Sequence, residues 1–260
     1  MKTMLKILGS TMMLQMKQSF ARPMFRFCLL LNPIVNTIFL YELFFHRGVN
    51  DFLGYVVLGA GLMGIWSCIC FSSVGDINRE RYSGTLPFIY VAPGGFGLIV
   101  FGKVLGNTLL SLVTFFISYL TAAILSGKIM KIEHAGLFII AMLLTLVCFI
   151  IISICFAYVL MLSRKTELYM NLLEIPIIFI CGFTFPIEVL PKWMQQISNC
   201  FAPTWAVKMI RMSVNGGNIS EFGNSLFILM VELLILILIS LVLYRYMDRN
   251  IRIKSTLEVC

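Results

Sequence analysis

Long apolar stretches separated by short polar segments dominate the pattern of this chain. A helix that crosses a membrane needs about 20 mostly apolar residues. Stretches of roughly this length lie at 27–45, 52–74, 98–125, 135–162, 169–186 and 225–247. We therefore predict an all-α, polytopic membrane protein in which residues 1–260 form a single transmembrane domain with six transmembrane helices.

Composition and charge support this class and suggest an orientation. Hydrophobic residues make up 60% of the chain and charged residues only 12%, whereas soluble domains carry about 25% charged residues. This excludes an ordinary soluble enzyme, a disordered chain and a free nucleic-acid binder. With the N-terminus inside the cell, 14 of the 20 Lys and Arg residues lie on the cytoplasmic side. The positive-inside rule then predicts that both termini, including the 248–260 tail, are cytoplasmic.

The first 22 residues alternate apolar and polar side chains at helical spacing. Lys2, Lys6 and Lys17 lie largely on one face. The apolar stripe consists of Met1, Leu5, Leu8, Met12 and Met16. We predict an interfacial amphipathic helix over 1–22 that contacts the anionic membrane lipids. A frayed basic tail that sets the topology is the alternative.

The connection at 75–96 is longer than the 2–8 residues that usually join two neighbouring helices. Asp76, Glu80 and Ser83 can share one side of a short helix. Gly84 suits the C-terminal end of such a helix, and Pro87 prevents simple continuation. We predict a short cytoplasmic helix on the membrane surface that acts as a docking element. A solvated loop is the alternative.

Polar residues inside the predicted spans are the second candidate feature. They are Asn32, Asn36, Glu174 and Glu232. A charge at the bilayer centre costs at least about 2.5 kcal/mol, so each carboxylate should face protein, water or a partner. These residues could line a pathway, form an ion pair across a subunit interface, or make structural hydrogen bonds between helices.

No catalytic residue and no metal site is predicted. The cysteines fall mostly inside apolar stretches, where they behave as small hydrophobic side chains. Gly97–Lys103 matches the start of a phosphate-binding loop, but Val104 stands where Ser or Thr should bind magnesium. The chain therefore lacks its own ATPase motif.

Two motifs resemble a known family. The first joins Asp76, Glu80, Arg81, Gly84, Thr85 and Leu86 to Ala92-Pro93 and Gly102-Lys103. The second runs from Phe185-Pro186 through Pro191 and Trp193 to Pro203 and Arg211. Together they resemble the permease subunits of type-2 ABC exporters, in which the second motif belongs to an external re-entrant helical segment, here 187–224.

This resemblance implies that the chain forms a translocation pathway as a homodimer or heterodimer in a bacterial cell membrane. It also implies a separate ABC ATP-binding subunit, which binds ATP and Mg, so that no cofactor is bound by this chain. The cargo would be drug-, lipid- or peptide-like and would move outward. The residues implied in ATPase coupling are Asp76, Arg79, Glu80, Arg81, Gly84, Thr85 and Leu86. Pro87 departs from the family pattern and leaves the end of this coupling helix open.

Two other classes remain as alternatives. An ion-gradient-driven secondary transporter would show an inverted repeat and broken helices near the midplane. Pro33 and Pro176 are compatible with broken helices, but no convincing repeat relates the two halves. A membrane-embedded enzyme lacks support, because the two histidines, His46 and His134, belong to no metal-binding motif.

Overall fold

The computed structural model describes residues 2–45, 52–92, 94–128, 130–161 and 174–254, and all regular elements within these ranges are helical. In chain order they are α1 (Lys2–Ala21), α2 (Pro23–Arg26), a π-helical turn (Phe27–Leu31), α3 (Asn32–Phe45), α4 (Phe52–Tyr82), α5 (Leu86–Val91), α6 (Phe96–Ser126), α7 (Ala135–Met161), α8 (174–180), a 3₁₀ turn (Ile187–Val189), α9 (Lys192–Ser198), α10 (Ala202–Asn215) and α11 (Ile219–Lys254).

Five helical segments in the described residues are long and apolar enough to cross a membrane. They are Pro23–Phe45, Leu53–Tyr82, Phe96–Ser126, Ala135–Met161 and Ile219–Ile251. Each overlaps one of the predicted spans, although the second extends eight residues further and the last begins six residues earlier than expected. The chain is therefore a multi-pass, all-helical membrane protein.

The remaining predicted span, 169–186, is only partly described. Residues 169–173 lie outside the described residues, and helix α8 ends at residue 180 rather than at 186. The reason is a local turn at Gly182, which has a φ of +70°. The Phe183 amide donates to the Ile178 carbonyl at 3.2 Å, the closing hydrogen bond of a Schellman motif.

Successive long helices run in opposite directions. The side chain of Arg81, near the end of α4, donates to the Met161 carbonyl at the end of α7. We name this the α5 end of the bundle. At the other end, the His134 amide donates to the Ser213 carbonyl of α10 at 3.1 Å, and we name it the α10 end. With a rise of 1.5 Å per residue, Tyr55 and Arg79 of α4 lie about 36 Å apart.

The core forms around helix α4. Trp66 is fully buried and contacts the rings of Phe149 and Phe183, with centroids 5.1 and 6.2 Å away. Helix α11, by contrast, exposes a long apolar face that includes Phe227, which is 71% exposed. A face of this length suits lipid or a second apolar protein rather than water.

Helix α1 forms as predicted, and it packs closely against the bundle rather than only lying beside it. It runs beside the first half of α6, where Gly102 and Gly106 present no side chain to it. A Cβ atom at Gly106 would lie 2.7 Å from the Met12 carbonyl oxygen. The two backbones approach this closely only because both positions are glycine. Within the predicted apolar stripe, Met12 is half-buried while Leu5 is 62% exposed.

Candidate functional site

The junction between α4 and α6 differs from the predicted loop that starts at residue 75. Helix α4 continues without a break through Gly75 to Tyr82, so Asp76 and Glu80, which were expected on a separate short helix, lie in the last turns of α4. A single glycine inside a helix costs only about 1 kcal/mol. The polar contacts of the turns that follow Gly75 offset this cost.

Helix α4 ends where Gly84 was expected to end a helix. Gly84 has a φ of +65°, and its amide donates to the Arg81 carbonyl at 3.1 Å. The Thr85 amide donates to the Glu80 carbonyl at 3.0 Å. This pair of bonds is a Schellman motif, and it fixes the direction in which the chain leaves α4.

A second, shorter helix, α5, follows directly. Pro87, which left the end of the coupling helix open, lies in the first turn of α5, where its missing N–H removes no helical hydrogen bond. The Tyr90 hydroxyl of α5 donates to the Asp248 carboxylate of α11. The short helix is thereby attached to the last span as well as to α4.

Asp76 is the centre of a buried polar network that the sequence did not predict. Its carboxylate is 2% exposed and forms ion pairs with Arg22 and Arg79, the latter at 3.2 Å. It also accepts hydrogen bonds from Gln15 and from Asn107, the latter at 3.4 Å. The network therefore joins the end of α1, the end of α4 and the first half of α6.

A second layer extends the network along α1. Ser19 donates to Asn107 at 2.7 Å, and Gln15 donates to Ser19 at 2.8 Å. Gln15 and Ser19 are four residues apart and both are buried. Gln15 and Ser19 were not predicted from the sequence, because only apolar side chains were expected on the packed face of α1. Two polar residues at i and i+4 on that same face were the available signal.

Glu80 is buried too, at 9% exposure, and forms an ion pair with Lys103 of α6. Among the predicted coupling residues, Leu86 is also fully buried, whereas Gly84 and Thr85 are exposed. The structure thus buries two of the carboxylates that the resemblance implies in ATPase coupling, and their part in coupling stays a prediction. Both carboxylates pair inside the chain, Asp76 with Arg22 and Arg79, and Glu80 with Lys103.

Three large apolar side chains are also exposed at the junction. Tyr82 is 77% exposed, and Phe88 and Val91 are each 79% exposed. We name these three residues the α5 patch. Beside it, a cleft of about 700 Å³ lies between α1 and α5, with Ile7 and Arg79 among its lining residues. The patch and the cleft together form a surface that could receive a partner protein.

The comparison with protein families identifies the chain. The family model described as "ABC-2 type transporter" matches residues 8–214. The chain belongs to the ABC-2 type transporter family. It is thus the membrane permease component of an ABC transporter, a component that associates with an ABC ATP-binding subunit. No curated protein matches the chain.

The permease does not gather the predicted pathway residues into one cluster among the described contacts. Asn36 donates to Asn32 of the same helix at 3.2 Å. Glu174 is buried and accepts a hydrogen bond from Ser67 of α4 at 2.5 Å. Glu232 of α11 lies near Trp205, and its Oε2 is buried without a hydrogen-bond partner among the described residues.

The predicted external segment folds into short helices at the α10 end. Pro186 precedes the 3₁₀ turn and Pro191 precedes α9, while Pro203 lies in the first turn of α10. The Phe185 ring contacts the Phe179 ring, and Trp193 is 63% exposed.

The remaining residue of the predicted external motif, Arg211, is on α10. Its guanidinium donates to the Phe183 carbonyl at 3.1 Å and so attaches α10 to the turn after α8.

Proposed function

We propose that this permease is moved by a separate ATP-hydrolysing subunit that contacts the α5 patch, and that it exports drug-, lipid- or peptide-like cargo as a dimer. The observation that carries the proposal is the exposure of Tyr82, Phe88 and Val91 beside the turn that joins α4 to α5. Large apolar side chains that are exposed at the end of a span, next to a turn, are typical of an interface with another protein.

The connections of α5 explain how force applied to this patch would reach the spans. The Schellman turn at Gly84 joins α5 to α4, and the Tyr90–Asp248 hydrogen bond joins it to α11. Gly95, with a φ of +75°, forms the turn into α6. A displacement of α5 would therefore act on three spanning helices at once.

The buried ion pairs have a different part in this proposal. Asp76 and Glu80 keep α1 and α6 fixed to the end of α4, so the junction moves as one unit. The predicted coupling residues thus act in two groups. The residues that hold the junction together are Asp76, Glu80, Leu86 and Arg81, the last through its hydrogen bond to the Met161 carbonyl, while Arg79, Gly84 and Thr85 border the exposed surface.

The orientation in the membrane and the subunit assembly are further parts of the proposal. The α5 end would be cytoplasmic, as the distribution of Lys and Arg predicts, and six spans with both termini inside would complete the topology in a bacterial cell membrane. The apolar face of α11 is available to lipid or to a second permease subunit. ATP and Mg would be bound by the ATPase, with no cofactor in this chain.

The test is copurification of the tagged permease with an ATP-binding subunit from its native membrane. Phe88→Glu and Val91→Glu each place a charge in the middle of the α5 patch. We expect either variant to lower ATPase recovery at least 10-fold while leaving membrane insertion unchanged. Val189→Glu is the matched control, because Val189 is 72% exposed at the other end of the bundle.

Equal recovery of the ATPase with Val91→Glu and Val189→Glu would contradict the assignment of the α5 patch. An ion-gradient-driven transporter would give a different result. The isolated chain would then move solute across vesicles in response to an imposed gradient, with no ATP-binding subunit present.

A further inference from the structure

A small charged cavity lies at the α10 end, about 36 Å along α4 from the coupling junction. Its volume is about 350 Å³. Helix α4 contributes Tyr55, and the segment before α9 contributes Glu188. The other charged or polar lining residues are Lys208, Arg211, Asn215 and Glu221. The proposed function gives this cavity no role.

Arg211 lines the cavity, and one of its nitrogens has no hydrogen-bond partner among the described residues. One of its terminal nitrogens donates to the Phe183 carbonyl, and its guanidinium lies 5.1 Å from the centre of the Tyr55 ring. Its Nε is buried, and no acceptor among the described residues reaches it. Burial lowers the pKa of Arg211 to about 10, so the side chain is still charged at neutral pH. The residue as a whole is half-buried and lines the cavity, and a guanidinium suits an anionic oxygen from a ligand.

The other charges determine what kind of anion fits. Lys208 is exposed and lies 5.2 Å from the Trp205 ring centre. Glu188 and Glu221 are exposed at the rim of the cavity. Two cations and two carboxylates make the cavity neutral overall, so a simple anion would meet repulsion from the rim. A ligand that carries both an anion and an ammonium group would find a partner for each.

The surroundings favour a lipid as the source of such a group. Val189 and Ile219 are each 72% exposed and lie one and two residues from Glu188 and Glu221. The cavity also lies at the ends of membrane-spanning helices, where phospholipid headgroups are concentrated. Apolar side chains beside a charged cavity match a headgroup that continues into acyl chains.

We propose that this cavity binds a zwitterionic phosphate headgroup of the phosphoethanolamine type, with the phosphate at Arg211 and the ammonium group between Glu188 and Glu221. The headgroup is provided by a membrane lipid or by a soluble phosphoethanolamine ester. The site is separate from the α5 patch. A failure of this proposal would therefore leave the ATPase-coupling proposal intact, and the reverse also holds.

The experiment is native mass spectrometry of the purified permease in detergent with added lipid. We expect wild-type protein to retain phosphatidylethanolamine at least 5-fold better than phosphatidylglycerol, which has the phosphate but no ammonium group. Arg211→Gln should lower phosphatidylethanolamine retention at least 10-fold. Arg245→Gln is the matched control, since Arg245 is exposed near the α5 end, and it should change nothing.

A second variant keeps the test decisive if Arg211→Gln fails to fold. Glu188→Gln combined with Glu221→Gln changes only exposed carboxylates, and it should abolish the preference over phosphatidylglycerol. Displacement of the lipid by soluble glycerophosphoethanolamine would show that the headgroup alone is recognised, and its failure would show that the acyl chains are needed. Equal retention of the two lipids by wild-type protein would overturn the proposal, as would retention unaffected by Arg211→Gln in a folded protein or by the double variant.

Discussion

Replacing Asp76 with alanine tests the buried network most severely. Removing one partner of a buried ion pair typically costs 3–5 kcal/mol. Arg22 is 23% exposed and can recover some hydration after the change. We therefore expect the lower end of the range, about 3 kcal/mol. Because Asp76 contacts Gln15 of α1 and Arg22, which directly follows α1, this energy is lost from the attachment of α1 to the bundle.

Hydrogen exchange of the α1 amides measures that attachment directly. A loss of about 3 kcal/mol corresponds to a roughly 100-fold increase in local opening. We expect this increase for amides at 10–21 and a much smaller change in the core around Trp66. Arg79→Gln is a useful comparison, because Arg79 is 40% exposed and lies on the same helix as Asp76. Its loss should cost at most about 1 kcal/mol. Equal α1 exchange in Asp76→Ala and wild type would refute the reasoning.

Three further changes test other contacts. Gly106→Leu should separate α1 from α6 and lower the free energy of unfolding by roughly 1–3 kcal/mol in thermal unfolding. Gly223→Leu is the control, because a side chain there meets open space and should have little effect. Equal melting temperatures of the two variants would contradict the close approach of α1 to α6. Tyr90→Phe removes the hydrogen bond to Asp248 and should lower cargo-stimulated ATPase activity of the complex without releasing the ATPase; unchanged stimulation would show that this bond transmits nothing. Glu174→Gln keeps an acceptor for Ser67, so transport that is unchanged supports a structural role and transport that is lost supports a pathway role.

The sequence predicted most of the architecture because span length and apolar composition depend on local residues. The ends of α4 and α8 at Gly84 and Gly182 show the same principle, since left-handed glycines stop helices wherever they occur. The ending at Gly84 was predicted, whereas α8 was expected to continue to 186. The continuation of α4 through Gly75 was missed because a lone glycine is only a weak helix breaker.

The candidate site was harder to predict because it depends on contacts between distant segments. The charged residues of 76–81 were expected on a short docking helix at the membrane surface. Their burial depends on Arg22, Asn107 and Lys103, which reach them from other helices. No pattern within 75–96 could reveal those partners. The apolar stretch at 88–91 was visible in the sequence, but only Phe88 and Val91 of it are exposed, because Ile89 and Tyr90 pack against the core of the bundle.

The central claim is that a separate ATPase contacts the α5 patch. Photo-crosslinking in intact cells tests it most directly, with a photoreactive amino acid at Phe88 and, as the control, at Val189. We predict that position 88 crosslinks to a protein with nucleotide-binding motifs and that position 189 does not. If position 88 gave no such product, or if position 189 captured the ATPase instead, the account would be contradicted.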